Sequence, residues 1–561
     1  MTMRRPLSYP RAIAGLALAG LLALLASPPS TGARPAIAAP RLTAAAHAFV
    51  RVIVQGSAPG TRAAERAVAR SGGRVTRKLP IVDGVAATVP AAAVPALSAA
   101  PGVAAVTPDR RTHVQAVPAD QGSLQPVRSV YPQVVRATDV WATRRTGAGV
   151  TVALVDTGVT EVADLSGRVV PVVNDRTGQT YPCENLSEER DCADSYGHGT
   201  FIAGTIAGNG AASDGRWKGA APGARVLSVK IAGRDGTADV SNVLAAVQWV
   251  VSFRDRYNIR VLNLSLGTDS TQTYARDPLN YAVERAWDAG VAVIVAASNR
   301  GPDPRTVSKP GDDPLVVTVG AIDDGGTKGL GDDVLPNFTS RGPTAADGIA
   351  KPDVVAPGGH IVSLRAPGSA IDTQFPNYID GAYRAGSGTS MATGIVSGVA
   401  ALLLQANPGW SPDRLKYALL HTTRATVSSD PMAVGSGLVD AYQAAFAAPA
   451  GTANQGIPRS NGRGTMYDSR GSVQMMVNDP DSGNVGVLLG PLLTAQLLIW
   501  DPIGWTTSNW DGNTWYSTGW ATSRWVPLDW YGSDWPGNNW RNDYSWYGSP
   551  WSGGAWYGAW E

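Results

Sequence analysis

The 561-residue chain predicts a doubly wound, mostly parallel α/β sheet as its main fold class, and three observations support that reading. Short runs rich in Val, Leu and Ile recur at 150–155, 225–231, 260–266, 291–297 and 315–319, and the first of them is almost wholly apolar, as a parallel strand buried on both faces requires. Helical stretches at 200–207, 241–253, 279–289 and 391–405 separate or follow these runs, which is the alternation of a doubly wound sheet. Asp156 stands directly after the run 150–155, at the mouth of the sheet, where open α/β folds bind ligands. Ser411 and Pro412 form the N-cap and first position of a further helix that runs to about His421.

The elements ahead of this sheet read in chain order. Arg4, Arg5 and Arg11 precede an apolar run from Ala12 to Ala26, followed by Ser27, Pro28 and Pro29, which is the pattern of a secretory signal within residues 1–38. The run is short for a membrane span of about 20 residues. Residues 45–112 hold FVRVIVQ, a helical stretch at 63–69, RVTRKL, VAATVP, a second helical stretch in AAAVPALSAA, and VAAVTPD. Strand, helix, strand, strand, helix, strand is the order of a split βαβ unit, so a small α+β domain is expected there. Residues 113–125 read as a linker, 126–450 as the main domain and 451–561 as a tail.

Export makes the two cysteines readable. Cys183 and Cys192 are the only ones, and in an oxidising compartment a pair this close forms one disulfide. Closing so small a loop stabilises by about 2 to 3 kcal/mol in the chain-entropy view. The loop also holds Glu184, Glu188, Glu189 and Asp191, candidate donors for a structural calcium; they lack an EF-hand spacing, and a solvated acidic loop is the simpler reading. A net charge of +2 with 16% charged residues gives no basic stripe and argues against a nucleic-acid partner.

The tail is unusual. Trp recurs at every fifth position from 500 to 540 and again at 546, 551, 556 and 560, so 13 of 18 Trp lie in the last 62 residues. A five-residue step cannot line one face of a regular helix or strand, and the intervening Gly, Ser, Asn and Asp point to turns. Two readings stay open: an appendage whose Trp stack on cell-wall or other polymer, and a low-complexity segment that buries little. The apolar stretch 485–499 is broken by Gly490 and Pro491 and reads as strands, not as a membrane span.

Three segments in the order Asp, His, Ser place polar side chains on Gly-flanked junctions: VALVDTGV with Asp156, SYGHGTFIAGT with His198, and GSGTSMATG with Ser390. Singly each has an ordinary explanation, as a turn residue, a structural histidine and a helix N-cap. Of the five histidines, His198 alone lies between two glycines; His113 and His421 suit surface or packing roles. Together, in this order and wording, the segments resemble the subtilisin-like serine peptidases, the subtilases, over roughly residues 126–450.

The resemblance implies a subtilisin-like fold and a secreted serine endopeptidase that cuts polypeptides through an acyl-enzyme. It assigns Ser390 as nucleophile, His198 as general base and then acid, and Asp156 as the group orienting the imidazole. In VAVIVAASNRG it assigns Asn299 to the oxyanion hole, with the backbone N–H of Ser390 as second donor. It makes Ser265, Leu266 and Gly267, with the loop 232–239, the edges that hold an extended substrate, and sets Arg300 beside the pocket for the residue before the scissile bond. No cofactor is implied for catalysis. DGVAATVP and PGVAAVTPD resemble the subtilase propeptide, which implies an autoprocessed preproenzyme whose own propeptide is a partner; an unrelated small α+β module is the alternative. The rival function is a catalytically weak surface protein presenting the Trp tail. Two positions depart from the family pattern: Gly394 stands where proline is usual and Phe201 where histidine often follows GHGT. Gly394 is expected to loosen the Ser390 helix by about 1 kcal/mol relative to Ala.

Overall fold

The computed structural model describes residues 49–114 and 129–465, apart from positions 176, 269, 271, 376 and 377, together with short strands between 474 and 547. The segment predicted as an export signal, the predicted linker from 115 onward and most of the tail lie outside the described residues.

The N-terminal unit follows its sequence pattern closely. β1 (Phe49–Gly56), α1 (Arg62–Arg70), β2 (Arg74–Leu79), β3 (Gly84–Pro90), α2 (Val94–Ser98) and β4 (Val103–Pro108) form a four-stranded sheet in the order β2-β3-β1-β4. β1 is antiparallel to both β3 and β4, and Val52, Val54, Val68, Val85, Val89, Val94 and Val106 bury their side chains in one small core. A short strand, β5 (Arg111–Val114), follows β4 directly.

The main sheet is built from β6 (Thr151–Asp156), β7 (Cys183–Asn185), β8 (Arg225–Lys230), β10 (Ile259–Leu264), β12 (Ala292–Ala296), β13 (Val317–Ile322) and β14 (Val354–Pro357). Two further short strands, β9 (Thr237–Asp239) and β11 (Leu266–Gly267), lie outside it. Its order is β14-β13-β12-β10-β6-β8-β7, and every pair is parallel. α3 (His198–Ala207) packs on α6 (Thr389–Ala406), while α4 (Val240–Tyr257) packs on α5 (Pro278–Asp288), so each pair covers one face. From β6 the chain goes outward to β7 and β8 and then returns across it to β10, so the topological switch lies at β6. Asp156 ends that strand. α7 (Pro412–His421) begins with Ser411 Oγ accepting the Arg414 amide, the N-cap its sequence announces.

Three features differ from the sequence expectations. Cys183–Asn185 is the outer strand of the main sheet and not only a loop, and the Cys183–Cys192 disulfide closes immediately behind it. The strand expected at 315–319 starts later, at Val317, because the carbonyls of Pro314, Leu315 and Val316 turn to the buried ammonium of Lys416 instead of to a neighbouring strand. Gly394 has a packing role its helix propensity does not reveal, letting two helices touch: a Cβ there would lie 2.2 Å from Thr205 Oγ1 on α3.

Beyond Thr465 only backbone ladders are described. Asn509–Trp510 pairs with Trp515–Tyr516, and Asn539–Trp540 with Trp546–Tyr547, so Trp510 stands opposite Trp515 and Trp540 opposite Trp546. The five-residue step from Trp510 to Trp515 spans a hairpin and brings those two backbone positions into register, as the six-residue step does for Trp540 and Trp546.

Candidate active site

Asp156, His198 and Ser390 sit on β6, α3 and α6, three elements that converge at the C-terminal end of the sheet. His198 Nδ1 lies 2.8 Å from Asp156 Oδ1 and 2.9 Å from Oδ2, and both residues are about 1% exposed. A carboxylate only accepts, so Nδ1 bears the proton and the neutral ring keeps Nε2 as an acceptor. Nε2 is buried and has no hydrogen-bond partner among the described residues. Ser390 Oγ lies 3.2 Å from the Ser265 carbonyl, at the second position of α6.

The approach of these elements depends on a missing side chain. A Cβ on Gly199 would stand 2.0 Å from the Gly158 carbonyl, so only glycine lets the first turn of α3 close onto the segment after β6. Asp194 then locks the junction. Its carboxylate accepts from Gly197 N and Thr200 N, each at 2.7 Å, and from Thr157 Oγ1 at 2.7 Å. Thr157 Oγ1 in turn accepts from Gly199 N at 3.0 Å. Burial pushes the Asp194 carboxyl up, against the pull of these donors on the carboxylate. Sequence reasoning missed Asp194, which stands three residues ahead of the cap residue Gly197 and still accepts from the first-turn amide of Thr200.

Asn299 follows β12 and faces the start of α6. Its Oδ1 accepts from Thr389 N at 2.8 Å and Thr389 Oγ1 at 3.0 Å. With the oxygen end held, the amide NH₂ is turned away from Thr389 as a fixed donor. α6 is tied to the sheet below by Asn263 Nδ2, which donates to Ser397 Oγ at 2.9 Å, and Ser265 Oγ lies 2.9 Å from Asn263 Oδ1.

Leu266–Gly267, as β11, forms with Thr237–Asp239 (β9) the two sides of a slot, and β5 of the same chain lies between them. β5 is antiparallel to both, with His113 opposite Gly267 and Thr237, and Val114 opposite Leu266. His113 is exposed there. The N-terminal unit adds contacts along α4: Asp109 accepts from Ser241 N at 2.8 Å and Ser241 Oγ at 2.7 Å, Arg51 pairs with Asp239 at 2.5 Å, and Arg77 donates to Asn242 Oδ1 at 3.1 Å. Burial, followed by repulsion from Asp239, pushes the Asp109 carboxyl up to about 6. Arg300 is half-buried, and its guanidinium donates to the Thr306 carbonyl at 3.3 Å while its N–H meets Ser340 Oγ.

The acidic loop does not suit a calcium ion. Glu189 accepts from Lys230 Nζ at 2.6 Å, Ser195 Oγ at 2.7 Å and Arg234 N at 2.9 Å, and Lys230 stands 3.7 Å from Asp191, so a buried ammonium already supplies the positive charge. Among the described residues no group of three or more His, Cys, Asp or Glu is arranged to hold a metal ion.

Residues 147–464 match the Subtilase family model, and residues 25–109 match a model described as "Putative peptidase inhibitor domain". Serine protease AprX of Bacillus subtilis (strain 168) is 41% identical over 302 residues, which are 53% of this chain and 66% of that protein. The chain therefore spans just under two thirds of this relative. Subtilisin E of Bacillus subtilis (strain 168) is 30% identical over 381 residues, 67% of this chain and 84% of that protein. Fervidolysin from Fervidobacterium pennivorans, a keratinolytic enzyme related to subtilisin, superposes with a TM-score of 0.55 at 22% identity over 79% of this chain and 67% of its own, a likeness of fold. With a family match over more than half its length and relatives of this kind, the chain belongs to the subtilase family of serine peptidases.

Proposed function

We propose that the chain is a secreted serine endopeptidase, made as a preproenzyme, that hydrolyses exposed polypeptide through an acyl-enzyme on Ser390. The observation that carries this reading is the buried Asp156–His198 pair with its unpartnered Nε2, set beside the N-terminus of the Ser390 helix. A rotamer change at Ser390, from the Ser265 carbonyl to His198 Nε2, prepares the attack. Oγ then bonds to the substrate carbonyl carbon as its proton passes to Nε2, and Asp156 stabilises the imidazolium. The oxyanion meets Asn299 Nδ2 and the Ser390 N–H. Collapse breaks the C–N bond as His198 returns the proton to the leaving amine, and water repeats the sequence to free the acid.

In the same reading residues 45–112 are the chain's own inhibitor and folding aid, with β5 leading from that domain along the slot a substrate would take. Cutting within 113–125 releases the mature enzyme. Residues 1–38 direct export, and the Trp tail binds cell-wall or other insoluble polymer, with Trp510 opposite Trp515 and Trp540 opposite Trp546 in its backbone ladders. Arg300 disfavours Lys and Arg in the pocket for the residue before the scissile bond. Structural calcium, if the enzyme uses it, binds elsewhere than at the acidic loop.

A fluorophosphonate probe tests the central claim. The purified mature protein is expected to form one adduct, at Ser390, with loss of peptide hydrolysis in proportion. An unlabelled protein that still binds insoluble polymer would instead establish a surface protein without a nucleophile.

A further inference from the structure

The chain does not leave the enzyme surface after α7 and the two short helices that follow it, Pro431–Val434 and Ala441–Phe446. Asn454 Nδ2 donates to Asp413 Oδ1 at 2.8 Å and to the Leu315 carbonyl at 3.0 Å. Tyr274 OH reaches the Pro458 carbonyl at 3.2 Å, Arg459 pairs with Asp288 at 2.8 Å, and Ser460 N donates to Glu284 Oε2 at 2.8 Å. Asn461 N then bonds the Ala275 carbonyl at 2.9 Å. Gly464 presses so closely on Gln272 that a Cβ would fall 1.7 Å from Oε1. This strap crosses the α5 side of the enzyme and ends at Thr465, which forms a parallel bridge with Val106 of β4.

β4 is an outer strand of the N-terminal sheet, and its other side pairs with β1. The opposite outer strand, β2, is held separately: Arg77 donates to Asn242 on α4 and to the Leu186 carbonyl. The N-terminal domain is therefore gripped at both edges of its sheet, at β2 by the α4 side of the enzyme and at β4 by the strap. We propose that the strap 453–465 is a second holding site for the N-terminal domain, remote from the substrate slot, which slows that domain's departure once the chain has been cut. The inference rests on the reading of residues 45–112 as the inhibitor. An outer strand offers unpaired N–H and C=O groups to any extended segment beside it. The strap is already ordered by its own bonds to the enzyme, so the contact forms with little further loss of freedom.

Gly464→Val in the full-length chain tests this, because the new side chain collides with Gln272 and lifts the end of the strap while leaving the site intact. Two measurements are made. In the Ser390→Ala background, hydrogen exchange of the amides at 105–107 is expected to rise about tenfold, the equivalent of one backbone contact, with β2 and β3 unchanged. In the active chain, the lag before peptide hydrolysis appears should shorten several-fold while the final kcat/KM stays the same. A chain ending at Arg463, which lacks the bridge outright, gives the same readings if Gly464→Val folds poorly. Unchanged exchange and unchanged lag in both variants would overturn the proposal. If the parent shows no lag while the N-terminal domain is still bound, the inhibitor reading fails, and exchange at 105–107 alone decides whether the strap holds β4.

Discussion

The Asn299 side-chain oxygen accepts both the backbone amide and the hydroxyl of Thr389, the residue immediately before Ser390. One contact thereby fixes two things: which end of the Asn299 amide points away from the helix, and how far the first turn of α6 lies from the end of β12. Electrostatic stabilisation by an amide works best when the donor needs no reorganisation at the moment of reaction, and this arrangement supplies that condition.

Asn299→Ala should therefore lower kcat by about 10² to 10³, or roughly 2.7 to 4 kcal/mol, with little change in KM. Asn299→Asp, which keeps the acceptor for Thr389 but loses the NH₂, should fall as far. Steady-state kinetics on a small peptide substrate check both. An Asp variant near parental kcat would remove Asn299 from the oxyanion role.

Ser390→Ala should abolish hydrolysis, with a loss in kcat on the order of 10⁶, and should leave a chain that still includes the residues before Gln125. Intact-mass measurement of the secreted protein reads the second outcome. Normal shortening of the variant expressed alone would show that another peptidase does the cutting.

Gly394→Ala should destabilise the protein by about 1 to 3 kcal/mol, because its methyl meets Thr205 Oγ1 on the facing helix. Thr205→Ala in the same chain removes that oxygen and should recover part of the loss. Chemical denaturation of the four chains of this cycle gives the coupling, and additive effects would mean that the helices separate elsewhere.

Asp109 links the docking of the N-terminal domain to pH. Its carboxyl is raised from 3.8 to about 6 in the docked state, so the folded assembly holds a proton that the unfolded chain has lost between those values. This group's contribution is fully present below pH 4, fades as pH rises toward 6 and is level above that. The groups around it are Asp239, Arg51 and Ser241. In the Ser390→Ala background, the stability of the parent relative to Asp109→Asn should fall by up to about 1.4 kcal/mol per pH unit over that window. A constant difference from pH 4 to 7 would show that Asp109 does not titrate there.

Removing the tail separates it from the chemistry. A chain ending at Thr465 should keep kcat/KM on a small peptide within a few-fold and lose binding to insoluble polymer, since transition-state contacts lie elsewhere. A chain ending at Ala453 also loses the bonds of Asn454 and Ser460 to Asp413 and Glu284, and should be less stable by about 1 to 3 kcal/mol. Equal polymer binding with and without residues 466–561 would leave the tail as low-complexity sequence.

The strands and helices of both domains were legible because their patterns are strong: β2 begins and ends with RVTRKL, and α7 starts at its Ser-Pro cap. The positions of Asp156, His198 and Ser390 were legible as words in the sequence, but the contact of His198 with Asp156 was not, since it joins residues 42 apart through the closeness of Gly199 to Gly158. Asp194 escaped notice because a carboxylate that accepts only from backbone and hydroxyl groups leaves no partner to find by charge. The late start of β13 had a similar cause. Lys416, about a hundred residues away, takes the carbonyls that a strand would need, and no local propensity reports so distant a donor. The strap was invisible for the opposite reason: Gly, Asn, Pro and Arg between 451 and 464 have no period, and the groups that hold them lie far away in the chain, at 274, 284, 288, 315 and 413.

β5 occupies the slot between β9 and β11 while still joined to the domain that precedes it. So long as the chain is whole, that occupation is an intramolecular event, and dilution does not weaken it. Tethering of this sort corresponds to effective concentrations in the millimolar range, whatever the protein's abundance. Cutting the linker changes the order of the reaction. The occupant becomes a separate molecule whose return depends on how much of it is nearby, so the same contacts, which in the proposed reading silence the chain where it is made, lose their hold once both pieces disperse into a large volume.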